Sequence, residues 1–325
     1  MPEGALGKAL WIAPILIAAA IPIPFSGSAH IIRYATLLWI SILLAASWNF
    51  LAQSGQVSFG HAAFFGTGAY ISALLVRDVA LSPFASMPLA SSAVALIGLG
   101  IGLICLRLTA WFLAMVTFGF PIIIQTLMAY QLSWLTGGWD GMPSFRLFSP
   151  AMPLYYVWEY YGICAIAGLG LLTLHLLSKS RVGLALRGIA QNELASRVSG
   201  IGSYGYKLLA FVVSTFFGGL AGALHAHYVG YISPEIYEVG TSFNPIIFCV
   251  IGGLGSIWGA ALGAILVTLA WDLLRSLGLL WERFILFGIL LILTIRFTPG
   301  GLISILKGWS PLPSSMRSER ARRGS

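Results

Sequence analysis

The stretch SKSRVGLALRGIAQNELASRVSGIGSYGYK, residues 178–207, is a long polar interruption in an otherwise apolar chain. Its charges are nearly all of one sign, since it contains a single acid, Glu193, and five basic residues: Lys179, Arg181, Arg187, Arg197 and Lys207. Lys and Arg next to membrane spans are retained on the cytoplasmic side. The stretch therefore predicts a cytoplasmic loop, and its orientation fixes that of the spans around it.

The middle of this loop is predicted to form an amphipathic helix. Glu193 and Arg197 are spaced i,i+4 with the acid first, which is the favourable orientation. Four apolar positions fall near one face of such a helix, namely Leu184, Ile189, Leu194 and Val198. A helix of this kind either docks on a cytoplasmic partner or lies against lipid headgroups, and the spacing leaves both alternatives open.

Composition places the chain in a membrane. Of its 325 residues 58% are hydrophobic and 9% charged, whereas a soluble domain holds about a quarter charged residues. The formal net charge of +8 does not indicate nucleic acid, because the basic residues concentrate in the loop and the C-terminal tail, where topology and anionic membrane lipid explain them. The three cysteines lack the spacing of metal ligands, so neither a metal site nor a disulfide framework is expected.

Apolar runs long enough, or nearly long enough, to cross a bilayer recur along the chain. They are Leu10–Ile23, Tyr34–Leu51, His61–Val76, Leu89–Leu106, Trp111–Tyr130, Tyr156–Leu177, Leu208–Tyr228, Phe243–Leu274 and Phe284–Ile295. We interpret the first as a span rather than a removed signal. The pattern predicts an all-α polytopic membrane protein with about 8–10 transmembrane elements, in one transmembrane domain over residues 1–309, followed by a basic cytoplasmic tail over residues 310–325.

The run Phe243–Leu274 is too long for one crossing. Its 32 residues would extend about 48 Å as a helix, against a bilayer core of about 30 Å. The sequence Gly252-Gly253-Leu254-Gly255 offers a break, and a re-entrant element there would return the Arg-rich tail to the cytoplasm. Unwound backbone at membrane depth needs protein or a water-filled cavity to satisfy it, and in transporters it lies at the substrate path.

A similar glycine-rich interruption, Ser54–His61, occurs in the first half. The two interruptions supply the candidates for a translocation pathway: Gln56, Ser58, Gly60, His61, Asn244, Gly252, Gly253 and Gly255. We expect Asn244-Pro245 to open a helix, with Asn244 as its cap. Glycines 255, 259 and 263 recur every four residues and predict close helix packing.

No pattern indicates catalysis. The chain has no phosphate-binding loop, and no relay of intramembrane acids of the kind that a proton-driven transporter would show. His225 and His227 are two residues apart and fall on different faces of a helix, which makes them a poor metal pair. We therefore predict neither an enzyme nor a bound cofactor.

Several separated blocks then match a known family in the right order. They are Gly55-Gln56-Val57-Ser58-Phe59-Gly60-His61, Leu135-Thr136-Gly137-Gly138-Trp139-Asp140-Gly141, Ser180-Arg181-Val182-Gly183, Asn192-Glu193-Leu194-Ala195, Gly252-Gly253-Leu254-Gly255-Ser256 and Pro299-Gly300-Gly301-Leu302. On these blocks the chain resembles the membrane permease of branched-chain amino acid ABC transporters, specifically the larger, LivM type. The resemblance covers residues 49–302.

The resemblance implies a multi-pass permease of the bacterial inner membrane, with a cytoplasmic C-terminus. Its expected partners are two cytoplasmic ATPase subunits that bind the ATP, a second permease subunit and a periplasmic substrate-binding protein. The loop 178–207 would dock on an ATPase through a coupling motif comprising Gly183, Arg187, Asn192, Glu193, Ala195 and Gly200. Leu184, Ala190 and Gln191 stand where the family pattern carries charges, a departure that bears on which ATPase the loop accepts.

Two alternatives remain open. Urea and short-chain amide importers have similar permeases, and the sequence does not separate them from an importer of hydrophobic amino acids. A stand-alone secondary transporter or channel is a different class, and it predicts activity without any ATPase.

Overall fold

The structure is a computed structural model that describes residues 29–107, 110–276, 278, 282–298 and 300–306. The predicted first span, Leu10–Ile23, and the basic tail, 310–325, lie outside the described residues. The main helices are α1 Ala29–Ala52, α2 His61–Val79, α3 Pro83–Cys105, α4 Ala110–Thr126, α5 Tyr155–Lys179, α6 Arg181–Gln191, α7 Glu193–Val198, α8 Ser203–Val229, α9 Val239–Gly252, α10 Ile257–Ser276, α11 Glu282–Phe297 and α12 Leu302–Leu306.

Shorter elements complete the described chain. A short π-helix, Leu127–Gln131, extends α4, and one-turn helices occupy Ser133–Thr136, Gly138–Asp140 and Pro234–Tyr237. Two short antiparallel strands, β1 Met142–Pro143 and β2 Tyr231–Ile232, pair in the register Met142 to Ile232 and Pro143 to Tyr231.

The predicted all-α membrane architecture is confirmed. Seven helices of the described chain are long and apolar enough to cross a bilayer, and they coincide with the predicted runs: α1, α2, α3, α4 with its π-helix, α5, α8 and α10. Helix α9 is apolar but shorter, with 14 residues. The division into a domain 1–309 and a tail 310–325 stays a prediction.

Helices α1, α2 and α8 form the centre of the bundle. A Cβ added at Gly222 of α8 would overlap the Phe65 carbonyl of α2, and one at Gly68 would overlap the backbone of Gly219. Close approach of this kind is what glycine permits at helix crossings in membranes. The two helices therefore pack backbone to backbone.

The bundle has two distinguishable ends. At one end the loop 178–207 folds against the chain after α1: Gln53 Oε1 accepts a 2.8 Å hydrogen bond from Ser178 Oγ, and Gly55 packs on Ala190. We call this the loop end. At the opposite end, the ribbon end, β1 and β2 join the 131–154 connection to the segment that follows α8.

The predicted break in the run 243–274 is present. Helix α9 ends at Gly252, α10 begins at Ile257, and Gly253 and Gly255 between them have positive φ angles of 127° and 79°, which favour glycine. The two helices run antiparallel in close contact, since a Cβ on Gly252 would meet the Gly259 carbonyl and one on Gly263 the Phe248 carbonyl. The packing predicted for Gly259 and Gly263 is thus confirmed, whereas a Cβ at Gly255 would meet nothing within 4 Å.

After the break the chain returns toward the ribbon end. Ser256 lies beside Asn49 near the loop end of α1, whereas Thr268 and Trp271 lie beside Leu37 and Ile40 in its middle. The segment that follows α11 then lies at the break again, where Gly253 contacts Gly300 and Ile303. The last described residues therefore share the loop end with residues 178–207.

Candidate functional site

Two consecutive residues of α1 hold both glycine-rich interruptions. Asn49 Nδ2 donates to the Ser256 carbonyl at 2.7 Å, and Asn49 Oδ1 accepts from the Gly255 N–H at 2.8 Å. Trp48 Nε1 donates to the Ser58 carbonyl at 2.8 Å. Both side chains are buried. Side chains of α1 thus satisfy three of the backbone groups that the two interruptions leave without helical partners.

The pathway candidates of the first interruption are buried in packing. Gln56 Oε1 accepts a hydrogen bond from Ser54 Oγ at 3.2 Å, and Ser58 Oγ accepts from the Gly60 N–H at 3.2 Å. A Cβ on Gly60 would lie 2.6 Å from the Thr117 carbonyl. These residues fix the start of α2 against α4, and their role in a pathway stays a prediction.

His61 begins α2 and points into the bundle. Its Nε2 lies 3.0 Å from Ser214 Oγ, and that hydroxyl donates to the Ser47 carbonyl at 2.7 Å. Its Nδ1 is buried with no partner among the described residues. The side chain therefore connects α2, α8 and α1.

A cavity of about 500 Å³ is lined by residues from the middle of α1 and extends to Tyr231 and Ile232 at the ribbon end. We call it the central cavity. It is lined by α1 (Leu37, Ile40, Ser41, Leu44), α2 and α8 (Phe65, His225, Val229), the 231–236 segment (Tyr231, Ile232, Ser233, Glu235, Ile236), α9 (Thr241, Asn244, Phe248) and α10 (Thr268, Trp271). Its volume is within the range of sites for small molecules, roughly 300–1,000 Å³.

Helix α9 closes the cavity toward the loop end. Thr241, Asn244 and Phe248 line the cavity at i, i+3 and i+7 of α9, so they share one face of it. On the loop-end side of Phe248 lies a buried apolar cluster that includes Trp48 and Ile251. Buried side chains thus separate the cavity from the loop end, whereas its lining reaches the ribbon end at Tyr231 and Ile232.

The prediction that Asn244 caps a helix is wrong. Helix α9 begins at Val239, so Asn244 and Pro245 lie inside it. Pro245 removes one backbone donor, and the helix continues because the other bonds remain. Of the eight pathway candidates, Asn244 lines the central cavity, and Gly252, Gly253 and Gly255 lie in the turn at the end of α9.

The loop 178–207 contains two helices where the sequence predicted one. Asn192 has extended backbone between α6 and α7, and its Oδ1 accepts the Ala195 N–H at 3.0 Å as the N-cap of α7. The four apolar positions do not share a face: Ile189 is buried at 3% exposure, whereas Leu184, Leu194 and Val198 are 62%, 73% and 83% exposed. Leu184 and Ile189 differ because they lie five residues apart on α6, and the bend at Asn192 separates both from α7.

Glu193 joins the loop to a spanning helix. Its two oxygens bind Lys207 Nζ of α8 at 2.6 Å and Arg197 at 2.7 Å. The hydrogen bond from Lys207 is the main cause that lowers the pKa of this carboxyl, and Arg197 adds to it. Glu193 therefore links α7 to α8 through an ion pair.

The remaining coupling candidates shape the loop. Gly183 packs so closely on the Ser178 carbonyl that a Cβ would overlap it, and Gly200 has a φ of 83°. Arg187 is half-buried. Beside them, a polar cleft of about 410 Å³ is lined by residues from the first interruption, the end of α3 and the loop, among them Gly55, Arg107 and Ala190. Contact with a partner is a prediction for all six candidates.

Sequence reasoning missed several residues that the fold brings together. In the sequence Trp48 and Asn49 fall inside an apolar run, although an asparagine in such a run is itself a signal. Lys207 stands out only as a basic residue of the loop, and the spacing of Glu235, Thr268 and His225 indicates no site. Their positions depend on long-range packing that spacing does not encode.

Comparison with known proteins agrees with this architecture. The family model described as branched-chain amino acid transport system / permease component matches residues 30–295. The high-affinity branched-chain amino acid transport system permease protein LivM of Escherichia coli K12 is 28% identical over 319 residues, covering 90% of this chain and 74% of the relative.

More distant relatives cover about half of each chain. The probable branched-chain amino acid transport permease protein LivM of Methanocaldococcus jannaschii is 26% identical, over 55% of this chain and 56% of its own length. The autoinducer 2 import system permease protein LsrC of Escherichia coli SMS-3-5 is 29% identical, over 56% and 55% respectively. No solved structure matches the chain. The family model covers most of the chain, and this chain belongs to the family of branched-chain amino acid transport permease components, which are transporters and not enzymes.

Proposed function

We propose that this chain is the permease subunit of an ABC importer for branched-chain and other hydrophobic amino acids in a bacterial inner membrane. Its loop end, with residues 178–207, faces the cytoplasm, because basic loops are retained there, and the basic C-terminal tail belongs on the same side of the membrane by the same rule. Two ATPase subunits bind the ATP and dock at this end. A second permease and a periplasmic substrate-binding protein complete the complex.

The observation that carries this proposal is the exposed apolar surface of α7. Leu194 and Val198 are 73% and 83% exposed, and they lie at the loop end, which buried side chains separate from the central cavity. Large apolar side chains presented together on a polar loop mark an interaction surface. An ATPase groove that covers them would bury α7 in the manner of a helix in a groove.

Two connections carry motion from this surface into the bundle. Glu193 ties α7 to α8 through Lys207, and Ala190 of α6 contacts Gly55 in the first interruption. A partner that shifts α6 and α7 therefore displaces both α8 and the chain between α1 and α2. ATP-driven closure would bias these elements between a state open at the ribbon end and one open at the loop end.

Docking is tested by Leu194→Glu, with Leu194→Met as the matched control. The charged variant places a carboxylate in the apolar contact, so we expect the ATPase subunits to be lost when the tagged permease is purified from cells that express the whole operon. The methionine variant keeps the apolar contact and retains them. Co-purification of the ATPase with Leu194→Glu at the wild-type ratio would contradict the docking surface.

The substrate is tested by ATP hydrolysis in liposomes. The complete complex is presented with leucine, valine, urea, a short amide or autoinducer 2, each with the binding protein encoded beside it. Stimulation by leucine or valine supports the proposal. Stimulation by another compound alone keeps the importer and replaces the substrate, whereas uptake in the absence of an ATPase would identify a stand-alone transporter.

A further inference from the structure

We propose that the central cavity is a substrate-binding site within the permease itself, which holds a branched aliphatic amino acid as a zwitterion with its ammonium group on Glu235. The inference rests on the proposed function for the class of substrate. It adds a site of selection inside the membrane to the selection made by the binding protein.

The part of the cavity that α1 lines lies around the middle of this membrane-spanning helix. Helix α1 has 24 residues and is about 36 Å long. Its lining residues, from Leu37 to Leu44, occupy about 10 Å around its midpoint. A site at the bilayer midplane that is closed on one side and open on the other is the arrangement expected for alternating access.

Two polar atoms in the wall of the cavity are without partners. His225 Nδ1 and Thr268 Oγ1 are buried and make no hydrogen bond within the described chain. His227, two residues further along α8, has both ring nitrogens engaged, with Ser72 Oγ at 2.8 Å and the Phe145 carbonyl at 2.6 Å. Unsatisfied buried polar groups are rare in native structures and call for a ligand or water.

Glu235 supplies the charge. It lines the cavity, is exposed, and makes no ion pair with any described residue. No lysine or arginine is among the described residues that line the cavity, so within them a bound cation meets one carboxylate and no competing positive charge. This arrangement selects an ammonium group, because charge-assisted hydrogen bonds are stronger than neutral ones.

The rest of the lining matches the other two parts of such a ligand. Neutral donors, the Asn244 amide, the Thr268 hydroxyl and the His225 ring, can hold a carboxylate. Leu37, Ile40 and Phe248 provide an apolar wall for a branched side chain. A carboxylate held by neutral groups alone is bound weakly enough to leave, which a transit site requires.

The test measures leucine binding to the complete complex in lipid nanodiscs, without binding protein or nucleotide, by equilibrium dialysis of radiolabelled leucine. The variant is Glu235→Gln, and the matched control is Glu238→Gln, an exposed acid three residues away that does not line the cavity. We expect Glu235→Gln to weaken leucine binding about tenfold or more and the control to leave it unchanged.

Two leucine analogues separate a charge contact from a general disturbance. Isoamylamine keeps the ammonium group and lacks the carboxylate, whereas 4-methylvalerate keeps the carboxylate and lacks the ammonium group. Glu235→Gln should weaken isoamylamine about as much as leucine and leave 4-methylvalerate unaffected or bound more tightly. Thr268→Val, which removes a carboxylate donor, should weaken leucine and 4-methylvalerate by about fivefold and spare isoamylamine.

The outcomes distinguish this inference from the proposed function. Leucine-stimulated ATP hydrolysis is measured on the same preparations with the loaded binding protein. If leucine stimulates hydrolysis but shows no saturable binding to the permease, or binds the Glu235→Gln variant as the wild type, the inference is overturned and the proposed function stands. If leucine does not stimulate hydrolysis at all, both fail.

Discussion

Replacing Asn49 with leucine tests whether the break between α9 and α10 depends on α1. The side chain is buried and forms two hydrogen bonds to the unwound backbone, at 2.7 Å to the Ser256 carbonyl and 2.8 Å to the Gly255 N–H. Leucine has a similar size but leaves both groups unsatisfied. An unpaired buried group costs about 1–3 kcal/mol, so the gross loss is about 2–6 kcal/mol.

Apolar burial of the new leucine offsets part of this loss, and we expect a net decrease of about 1–4 kcal/mol in the free energy of unfolding. The measurement is a denaturant titration of the purified permease in micelles, together with hydrogen exchange of residues 253–256. Ile42→Val, which trims buried packing on the same helix without removing a hydrogen bond, is the control, with an expected cost of about 0.5–1.5 kcal/mol. Its exchange at the break should match that of the wild type.

The reasoning would be refuted by an Asn49→Leu protein whose stability is within about 0.5 kcal/mol of the wild type and whose 253–256 amides exchange no faster. That result would mean that the glycine turn is satisfied by other groups and that α1 does not hold it.

Two further predictions concern the loop and the helix crossing. Glu193→Gln should reduce substrate-stimulated ATP hydrolysis in the reconstituted complex while the ATPase stays bound, because the variant weakens the link from α7 to Lys207. The pKa of Glu193 is lowered from 4.5, so its ion pairs stabilise the loop above pH 4.5 and are lost as the pH falls through the lowered pKa. Proteolysis of the wild-type loop should therefore increase at acid pH, and the variant should lack this increase. Gly222→Ala should lower the free energy of unfolding by about 1–3 kcal/mol or abolish folding, because the new Cβ overlaps the Phe65 carbonyl. Gly205→Ala on the same helix is the control: its Cβ meets nothing within 4 Å, so the change should be neutral or should raise the free energy of unfolding by up to about 1 kcal/mol. Equal thermal stability of the two variants would contradict the close packing of α2 and α8.

The spans and the break were predictable because they follow from local properties. A run of 32 apolar residues cannot cross once, and Gly252-Gly253-Leu254-Gly255 is its obvious weak point. The return of the chain followed from the positive-inside rule, and the last described residues do lie at the loop end. Length, glycine and charge therefore sufficed for the path of the backbone.

Side-chain placement was less predictable because it depends on competition between local and distant partners. Asn192 could continue a helix or cap one, and capping prevailed, which turned Ile189 away from Leu194. Asn244 had the sequence of a cap, but α9 starts five residues earlier and carries it into the cavity wall. The cavity itself is assembled from five helices and the 231–236 segment, and no spacing rule joins residues so far apart in the chain.

The adjacency of Trp48 and Asn49 has a mechanical consequence. One residue holds the first interruption and the next holds the second, so a rotation or slide of α1 strains both attachments at the same moment. The two interruptions are thus coupled through α1, and a change in the position of one changes the attachment of the other. The effects of removing the Trp48 and Asn49 hydrogen bonds should accordingly be non-additive, because once either bond is lost α1 no longer couples the two interruptions.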